Sequence, residues 1–240
     1  MNVEDLIKNS LQKLQEIGWE KGTPNEEQKQ RKLIFPSYRV EENENVNEEK
    51  HKRISEQEAR FLFVRELEKE ENTGFYYSIE TPTIFKYRFS ENGKRVDPPK
   101  IDIKKGESGK TDVCIYDSNL KRKYLVEFKA LNKDSLDFEK DFIKLKYEPK
   151  ESSDPNYFVH ILKSYDAGTI ASLIKKYEKS FGTPVDEDTK SLNKITKENE
   201  VIVFLCVLKV AKKYKDRYKE PIRFGVKDKD YDTILNKLVE

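Results

Sequence analysis

Two short apolar runs, TDVCIYD at residues 111–117 and YLVEFKA at residues 124–130, decide how this chain is expected to fold. Both are rich in residues that favour strands, and the polar stretch SNLK separates them, so together they predict a β-hairpin. Asp112, Glu127 and Lys129 interrupt these otherwise apolar strands. Because a buried charge is costly unless it is paired or binds a metal, the position of these three side chains indicates a functional site.

The length of the loop predicts which residues of the hairpin face one another. If the four residues of SNLK form the loop, Asp117 pairs with Arg122, and the same register pairs Asp112 with Glu127. Directly opposed residues on antiparallel strands have Cβ atoms roughly 4.5–5.5 Å apart. Lys129, two residues beyond Glu127, points to the same face. Two carboxylates this close repel unless a cation lies between them, and a divalent metal beside an ammonium is typical of sites that hydrolyse phosphate esters.

Composition limits the class of protein. The 240 residues fit one domain of ordinary size, or one with an N-terminal appendage. The net charge is only +2, so a polyanion must be bound by a local patch. Cys114 and Cys206 lie in apolar runs, which favours two packed thiols over a disulfide. The chain has no hydrophobic signal core and no apolar run approaching ~18 residues, so we expect a cytoplasmic protein that does not enter a membrane.

Apolar periodicity predicts the remaining elements. A helix over residues 3–17 and a polar linker make up an N-terminal segment, residues 1–53, and an α/β domain follows over residues 54–240. The domain's first helix begins at Ser55, with Glu58 as its capping-box partner. Further strands are predicted at residues 75–80, 84–89, 157–162, 201–208 and 222–226, helices at 135–147, 167–181 and 231–238, and loops at 96–110 and 185–200. This alternation predicts an α/β sandwich with a mixed sheet.

The three charged residues of the hairpin also form a recognisable motif. Asp112, fourteen intervening residues, and then Glu127-Phe128-Lys129 resemble the core of the PD-(D/E)xK nuclease superfamily, which has the restriction-endonuclease-like fold. The resemblance covers residues 55–181 and departs from the motif at Thr111, which stands in place of a proline that is often absent in the superfamily. It implies an αβββαβ core with a mixed central sheet flanked by helices, to which the N-terminal helix is an extension.

The resemblance implies a metal-dependent nuclease that hydrolyses phosphodiester bonds, with DNA as the expected nucleic acid and Mg²⁺ or Mn²⁺ as the expected cofactor. Asp112 and Glu127 would bind the metal, together with the backbone carbonyl of Phe128. Lys129 would be the catalytic lysine that positions or activates the attacking water. The first helix of such a core often adds an acid, and Glu58 is the expected one.

Several assignments stay open at this point. Glu56 and Glu66 compete with Glu58 for the role of the helix acid. Lys140 and Lys144 fall one helical turn apart and are expected to contact phosphates, although a charged solvent face explains them equally well. The basic run at residues 209–219 fits either a track for a nucleic-acid backbone or a solvated helix.

Two other functions also remain compatible with the sequence. One is a catalytically inactive nuclease-fold subunit that binds nucleic acid or assembles into a defence or repair complex, and the other is an interaction domain in which the three charges coincide by chance. A double-strand cutter would usually need two active sites, so a homodimer or a larger complex is one possible assembly, and the sequence leaves the oligomeric state open. His160 lies between Val159 and Ile161 and is predicted to be a bonded core histidine rather than a catalytic one.

Overall fold

The computed structural model describes most of the chain outside several connecting segments. The described residues are 2–18, 33, 35, 54–69, 73–101, 106–131, 135–164, 167–182, 198–209 and 220–225. The predicted linker at 41–53 and the predicted helix at 231–238 lie wholly outside the described residues. Most of the predicted loop at 185–200 and most of the basic run at 209–219 also lie outside them.

The described part of the chain contains four helices and seven strands. In order they are α1 (Val3–Gly18), α2 (Glu56–Leu67), β1 (Tyr76–Glu91), β2 (Lys94–Ile101), β3 (Glu107–Tyr116), β4 (Arg122–Ala130), α3 (Ser135–Tyr147), β5 (Asn156–Ser164), α4 (Ala167–Gly182), β6 (Val201–Lys209) and β7 (Ile222–Gly225). These strands form one open sheet in the order β2-β1-β3-β4-β5-β6-β7. β4, β5 and β6 are parallel, and the other neighbours are antiparallel. The predicted α/β fold with a mixed sheet is confirmed.

The helices cover both faces of the sheet. α1 and α2 pack on one face, in a core that includes Leu11, Phe63 and Val126. α3 and α4 pack on the other face, in a core that includes Leu125 and Phe142. Neighbouring residues of β4 thus enter different cores, as expected for a strand whose side chains alternate in direction. Because both faces of the central strands are covered, these strands have the continuous apolar sequences typical of a buried sheet.

The N-terminal helix is packed into the first of these cores. Leu6, Ile7, Leu11 and Leu14 of α1 are all buried there, against residues of α2 and the sheet. Full burial of a leucine or isoleucine side chain contributes about 1.5–3 kcal/mol. We conclude that α1 is part of the structural unit that carries the sheet.

β3 and β4 form the predicted hairpin, and its predicted register is confirmed over most of the pairing. Val113 pairs with Val126. Continued by one residue, this register places Asp112 beside Glu127. Val113 is also the last paired residue of β3 in that direction. The ladder therefore stops one residue before the two carboxylates.

The loop of the hairpin differs from the prediction by one residue. Tyr116, rather than Asp117, pairs with Arg122, and the register shifts just before this pair. Asp117 instead begins the loop, where its backbone N–H donates to the carbonyl of Lys121 and its Oδ1 accepts from the N–H of Lys121, each at 2.9 Å. Lys123 is the extra residue, and such a bulge lets the loop change length without moving the register farther along the strands.

Two predictions on the first part of the sheet are wrong. Residues 76–91 form one long strand, β1, rather than two strands separated at Thr81-Pro82-Thr83. The register of β1 against β3 instead shifts between Pro82 and Lys86, so the chain passes the proline as a bulge. Residues 96–101 belong to strand β2 and not to a loop, and β3 already begins at Glu107. β2 is the edge strand of the sheet, a position that tolerates its two prolines.

A buried glutamate supports the irregular part of β1. Glu148, at the end of α3, is fully buried and accepts hydrogen bonds from the backbone N–H groups of Ile84 and Phe85. It also accepts from the hydroxyl of Tyr87 and the guanidinium of Arg122, each at 2.8 Å. The bulge leaves backbone donors without a strand partner, and this carboxylate satisfies them.

The two cysteines and the buried histidine behave as predicted. Cys114 and Cys206 are buried free thiols, which confirms packing over a disulfide. His160 is fully buried, and its two ring nitrogens bond the hydroxyl of Tyr177 and the carbonyl of Leu131. Within the ranges given above, none of the helices is long and apolar enough to cross a membrane.

Candidate active site

Seven charged side chains come together where β3, β4, α2 and α3 meet, and we refer to them as the charged cluster. Its members are Glu56 and Arg60 of α2, Asp112 of β3, Glu127 and Lys129 of β4, and Asp141 and Lys144 of α3. The three residues that the hairpin motif predicts to act together are therefore all in this cluster.

Asp112 lies where β3 and β4 stop pairing. Its Oδ2 accepts the backbone N–H of Phe128 at 2.7 Å, so a side chain replaces a backbone carbonyl as the partner of β4. Its Oδ1 lies 3.2 Å from Nη1 of Arg60, which reaches it from α2. Burial raises the pKa of Asp112, and the N–H of Phe128 and the guanidinium of Arg60 oppose that rise. The carboxylate is thus fixed by two donors.

Glu127 is the most deeply buried carboxylate of the motif, with 4% of its side chain exposed. Its Oε1 lies 2.5 Å from Nζ of Lys144. Burial raises the pKa of Glu127 well above its usual range, Lys144 opposes this, and Asp141 and Asp112 add to it by repulsion. A glutamate in such a position is strongly stabilised by any cation that contacts it.

Lys129 is paired across the cluster rather than with its own strand. Its Nζ lies 2.6 Å from Oδ2 of Asp141 on α3. Burial lowers the pKa of Lys129, but the carboxylates of Asp141, Glu56 and Glu127 more than offset this, so the pKa is raised overall. Lys129 is therefore protonated at neutral pH and contributes a positive charge to the cluster.

Of the three candidate helix acids, Glu56 is the one that meets the cluster. Burial raises its pKa, while Lys129 and the backbone N–H of Ala130 lower it and Asp112 raises it further. Glu58 lies at the start of α2, where its Oε2 accepts from Oγ of the N-cap residue Ser55 at 2.6 Å. Glu66 is bound to Lys13 and Lys69 instead.

Arg60 and Asp141 were missed by the sequence reasoning, although each carries a weak signal. Arg60 follows Glu56 by four residues, and Asp141 precedes Lys144 by three, so each pair shares one helix face. Such spacings are common on solvated helices. Arg60 and Asp141 differ from such residues because their helix faces are packed against the hairpin. This packing is seen only in the folded structure.

An open cavity of about 380 Å³ adjoins the cluster. It lies between β1, the start of β3, and α3, and both Asp141 and Lys144 belong to its wall. Lys140, one turn earlier on α3, also lines it, with its ammonium 5.7 Å from the centre of the Phe89 ring. Lys144 itself is buried in the cluster, so the two lysines that the sequence assigned to phosphate contacts occupy different surroundings.

The carboxylates of the charged cluster are suitable ligands for a divalent cation, but they are not arranged around one. Four carboxylates provide the oxygen ligands that Mg²⁺ prefers, and burial raises the pKa of Asp112, Glu127 and Glu56 although cations lie beside them. Over the part of the chain that the structure describes, no three His, Cys, Asp or Glu side chains already stand in a metal-binding arrangement. Within the cluster, Lys144 contacts an oxygen of Glu127 and Lys129 contacts an oxygen of Asp141.

Comparison of the chain with protein-family models, with curated proteins and with solved structures finds no match.

Proposed function

We propose that this chain is a metal-dependent nuclease with the restriction-endonuclease-like fold, of the PD-(D/E)xK superfamily. The observation that carries the proposal is the convergence of Asp112, Glu127 and Lys129 with an acid of α2, Glu56, beside an open cavity. These side chains come from three elements, and the cost of burying so much charge is difficult to explain by stability alone.

In the proposed site Asp112 and Glu127 hold Mg²⁺ or Mn²⁺, with the backbone carbonyl of Phe128 as a further ligand. When bound, such an ion withdraws charge from a phosphate oxygen and lowers the pKa of a coordinated water. The chain's contribution is to fix the two carboxylates. The N–H of Phe128 and the guanidinium of Arg60 orient Asp112, and the packed strand β4 orients Glu127.

Lys129 serves as a fixed positive charge in this proposal. Since its pKa is raised by Asp141, its ammonium donates hydrogen bonds and does not accept a proton at neutral pH. It can therefore orient the attacking water or offset the charge that develops on the phosphate. Asp141 holds Lys129 through the 2.6 Å contact and acts as a positioning residue.

The proposed substrate is nucleic acid, with DNA as the expected form. The cavity reaches the cluster at Asp141 and Lys144, and Lys140 on its wall provides a cation for a backbone phosphate. Phe89 offers an aromatic face next to that lysine.

The test is a cleavage assay on supercoiled plasmid and on labelled DNA and RNA oligonucleotides, with Mg²⁺, with Mn²⁺ and with EDTA. We expect Asp112→Asn and Lys129→Met each to lower cleavage by about 100-fold or more. The matched controls are Asp117→Asn in the hairpin loop and Lys123→Met at the far end of β4, which keep wild-type rates. If the wild type and all variants showed the same background rate of cleavage, the nuclease proposal would be wrong.

A second candidate, favoured by a separate observation, is a catalytically inactive subunit that keeps the fold and binds nucleic acid. Both lysines of the cluster already neutralise carboxylates, so the cluster can persist as a set of ion pairs. This candidate predicts DNA binding without cleavage in any metal, and Asp112→Asn then leaves binding unchanged.

A further inference from the structure

Lys144 has a site of its own inside the charged cluster. Its Nζ lies 2.5 Å from Oε1 of Glu127, 3.0 Å from Oδ1 of Asp141 and 2.7 Å from the backbone carbonyl of Lys110. Three oxygens from β4, α3 and β3 thus surround one ammonium. Three donors and three acceptors match, which is the full hydrogen-bonding capacity of a lysine head group.

The backbone beside the lysine is also shaped to admit it. A Cβ atom built on Gly109 of β3 would lie 3.1 Å from Cδ of Lys144, closer than carbon atoms normally pack. Glycine at this position leaves room for the aliphatic stem, so the ammonium can reach Glu127 from α3. Both the aliphatic stem and the ammonium of Lys144 are therefore held in a defined position, the stem by the space at Gly109 and the ammonium by its three oxygen partners.

The same oxygens are those that the proposed metal site requires. A divalent ion bound by Asp112 and Glu127 needs the lone pairs of Glu127, and Oε1 already accepts from Lys144. Two cations at that distance from one carboxylate repel each other in a region where water is largely excluded. Binding of the ion and retention of the ammonium are therefore in competition.

We propose that Lys144 is the resident cation of this site, which holds Glu127 in place until a divalent ion binds and displaces it. The proposal rests on the metal site of the proposed function. In this exchange a divalent ion takes the place of the Lys144 ammonium beside Glu127, and the number of buried carboxylates stays the same. Lys144 also lines the adjoining cavity, into which its flexible stem can move when the head group is displaced.

The test is isothermal titration calorimetry with Mn²⁺ on the wild-type chain and on Lys144→Met, which keeps an unbranched apolar stem and removes the charged head group. We expect the variant to bind Mn²⁺ at least about tenfold more tightly, since one competing charge is removed at contact distance. The matched control is Lys146→Met, another buried lysine of α3, which contacts Glu198 and not the cluster. Adding Asp112→Asn to Lys144→Met should abolish the gain, which locates the ion at the cluster.

A second variant keeps every charge. Gly109→Ala introduces the Cβ that crowds the stem of Lys144, so it should also tighten Mn²⁺ binding, though by less, and it serves if Lys144→Met does not fold. A larger rise in Tm on adding Mn²⁺ to either variant than to wild type supports the same conclusion. Unchanged or weaker Mn²⁺ affinity in both variants, including no binding at all, overturns it.

The outcome is separable from that of the nuclease proposal. Cleavage that depends on Asp112, without a gain in Mn²⁺ affinity on removing Lys144, overturns the cation exchange alone. Tighter Mn²⁺ binding in the variants, with no cleavage by the wild type or by any variant, supports the exchange and overturns the nuclease proposal.

Discussion

Oδ2 of Asp112 accepts the backbone N–H of Phe128 at 2.7 Å, and this bond stands where the pairing of β3 with β4 ends. An aspartate side chain thereby takes the place of a strand carbonyl. The two strands separate beyond Val113, and the acidic residue that is expected to hold the metal also satisfies the first donor that the ladder leaves open.

Asp112 should therefore contribute to stability through the oxygen that accepts from Phe128, and to activity through the negative charge of its carboxylate. In Asp112→Asn the side-chain carbonyl can still accept from Phe128, so we expect a small change in the free energy of unfolding and the loss of cleavage. In Asp112→Ala the N–H of Phe128 loses its partner, which costs about 1–3 kcal/mol. Urea denaturation and the cleavage assay measure the two effects. A stable Asp112→Ala variant would show that water replaces the carboxylate.

The two acids in the first turn of α2 can be separated by a pair of variants. We expect Glu56→Gln to lower cleavage by about 10–100-fold, because the carboxylate acts next to Lys129 and Asp112. Glu58→Gln should keep both cleavage and Tm, because glutamine also serves as the capping-box partner of Ser55. If Glu58→Gln lost cleavage and Glu56→Gln did not, the helix acid would be the one first expected from the sequence.

Lys140 provides a test of how nucleic acid lies on the protein. It lines the cavity beside the cluster, so Lys140→Ala should weaken DNA binding at low salt and reduce the salt dependence of log K by about one contact. Fluorescence anisotropy in EDTA measures binding without cleavage. Lys121→Ala, in the exposed hairpin loop, is the control that should leave the salt slope unchanged. An unaltered slope for Lys140→Ala would place the backbone elsewhere.

The buried His160 predicts a loss of stability in mild acid. Burial lowers the pKa of His160 to about 4, the ammonium groups of Lys129 and Lys176 lower it further, and the bond to the carbonyl of Leu131 opposes the shift. The unfolded chain takes up this proton near pH 6.5, so stability falls as the pH decreases from 6.5 to 4 and is fully present above 6.5.

The size of this effect follows from the two pKa values. Between these limits the loss is roughly 1.4 kcal/mol per pH unit, or about 3 kcal/mol in all. His160→Gln keeps an acceptor and a donor but does not titrate, so the difference between wild type and variant in urea denaturation at several pH values isolates this histidine. Parallel pH profiles would contradict the assignment.

The hairpin could be predicted because its signals are local. Alternating side chains and a short polar loop fix the register of Val113 against Val126, and that register places Asp112, Glu127 and Lys129 together. A single extra residue at Lys123 changed only the pairing next to the loop. A bulge accommodates one extra residue locally, so the side chains farther along the strands keep pointing to the same faces of the sheet.

The missed features depend on partners far along the chain. Thr81-Pro82-Thr83 looks like a break between strands, but Glu148 supplies acceptors to the amides that the bulge leaves unpaired. The sequence of β1 contains no trace of that glutamate. Likewise, nothing local distinguishes Glu56 from Glu58 as the acid that meets Lys129, since the choice depends on how α2 docks against the end of β4.

The prolines of β2 have a consequence for how copies of this chain can meet. The exposed side of an edge strand normally offers a row of free N–H and C=O groups to a strand of another molecule. Pro98 and Pro99 provide no N–H, and they fall in the interruption between the two paired segments of β1 and β2. The two prolines therefore interrupt the row of backbone donors along β2 and disfavour continuous extension of the sheet by a strand of another molecule at this edge.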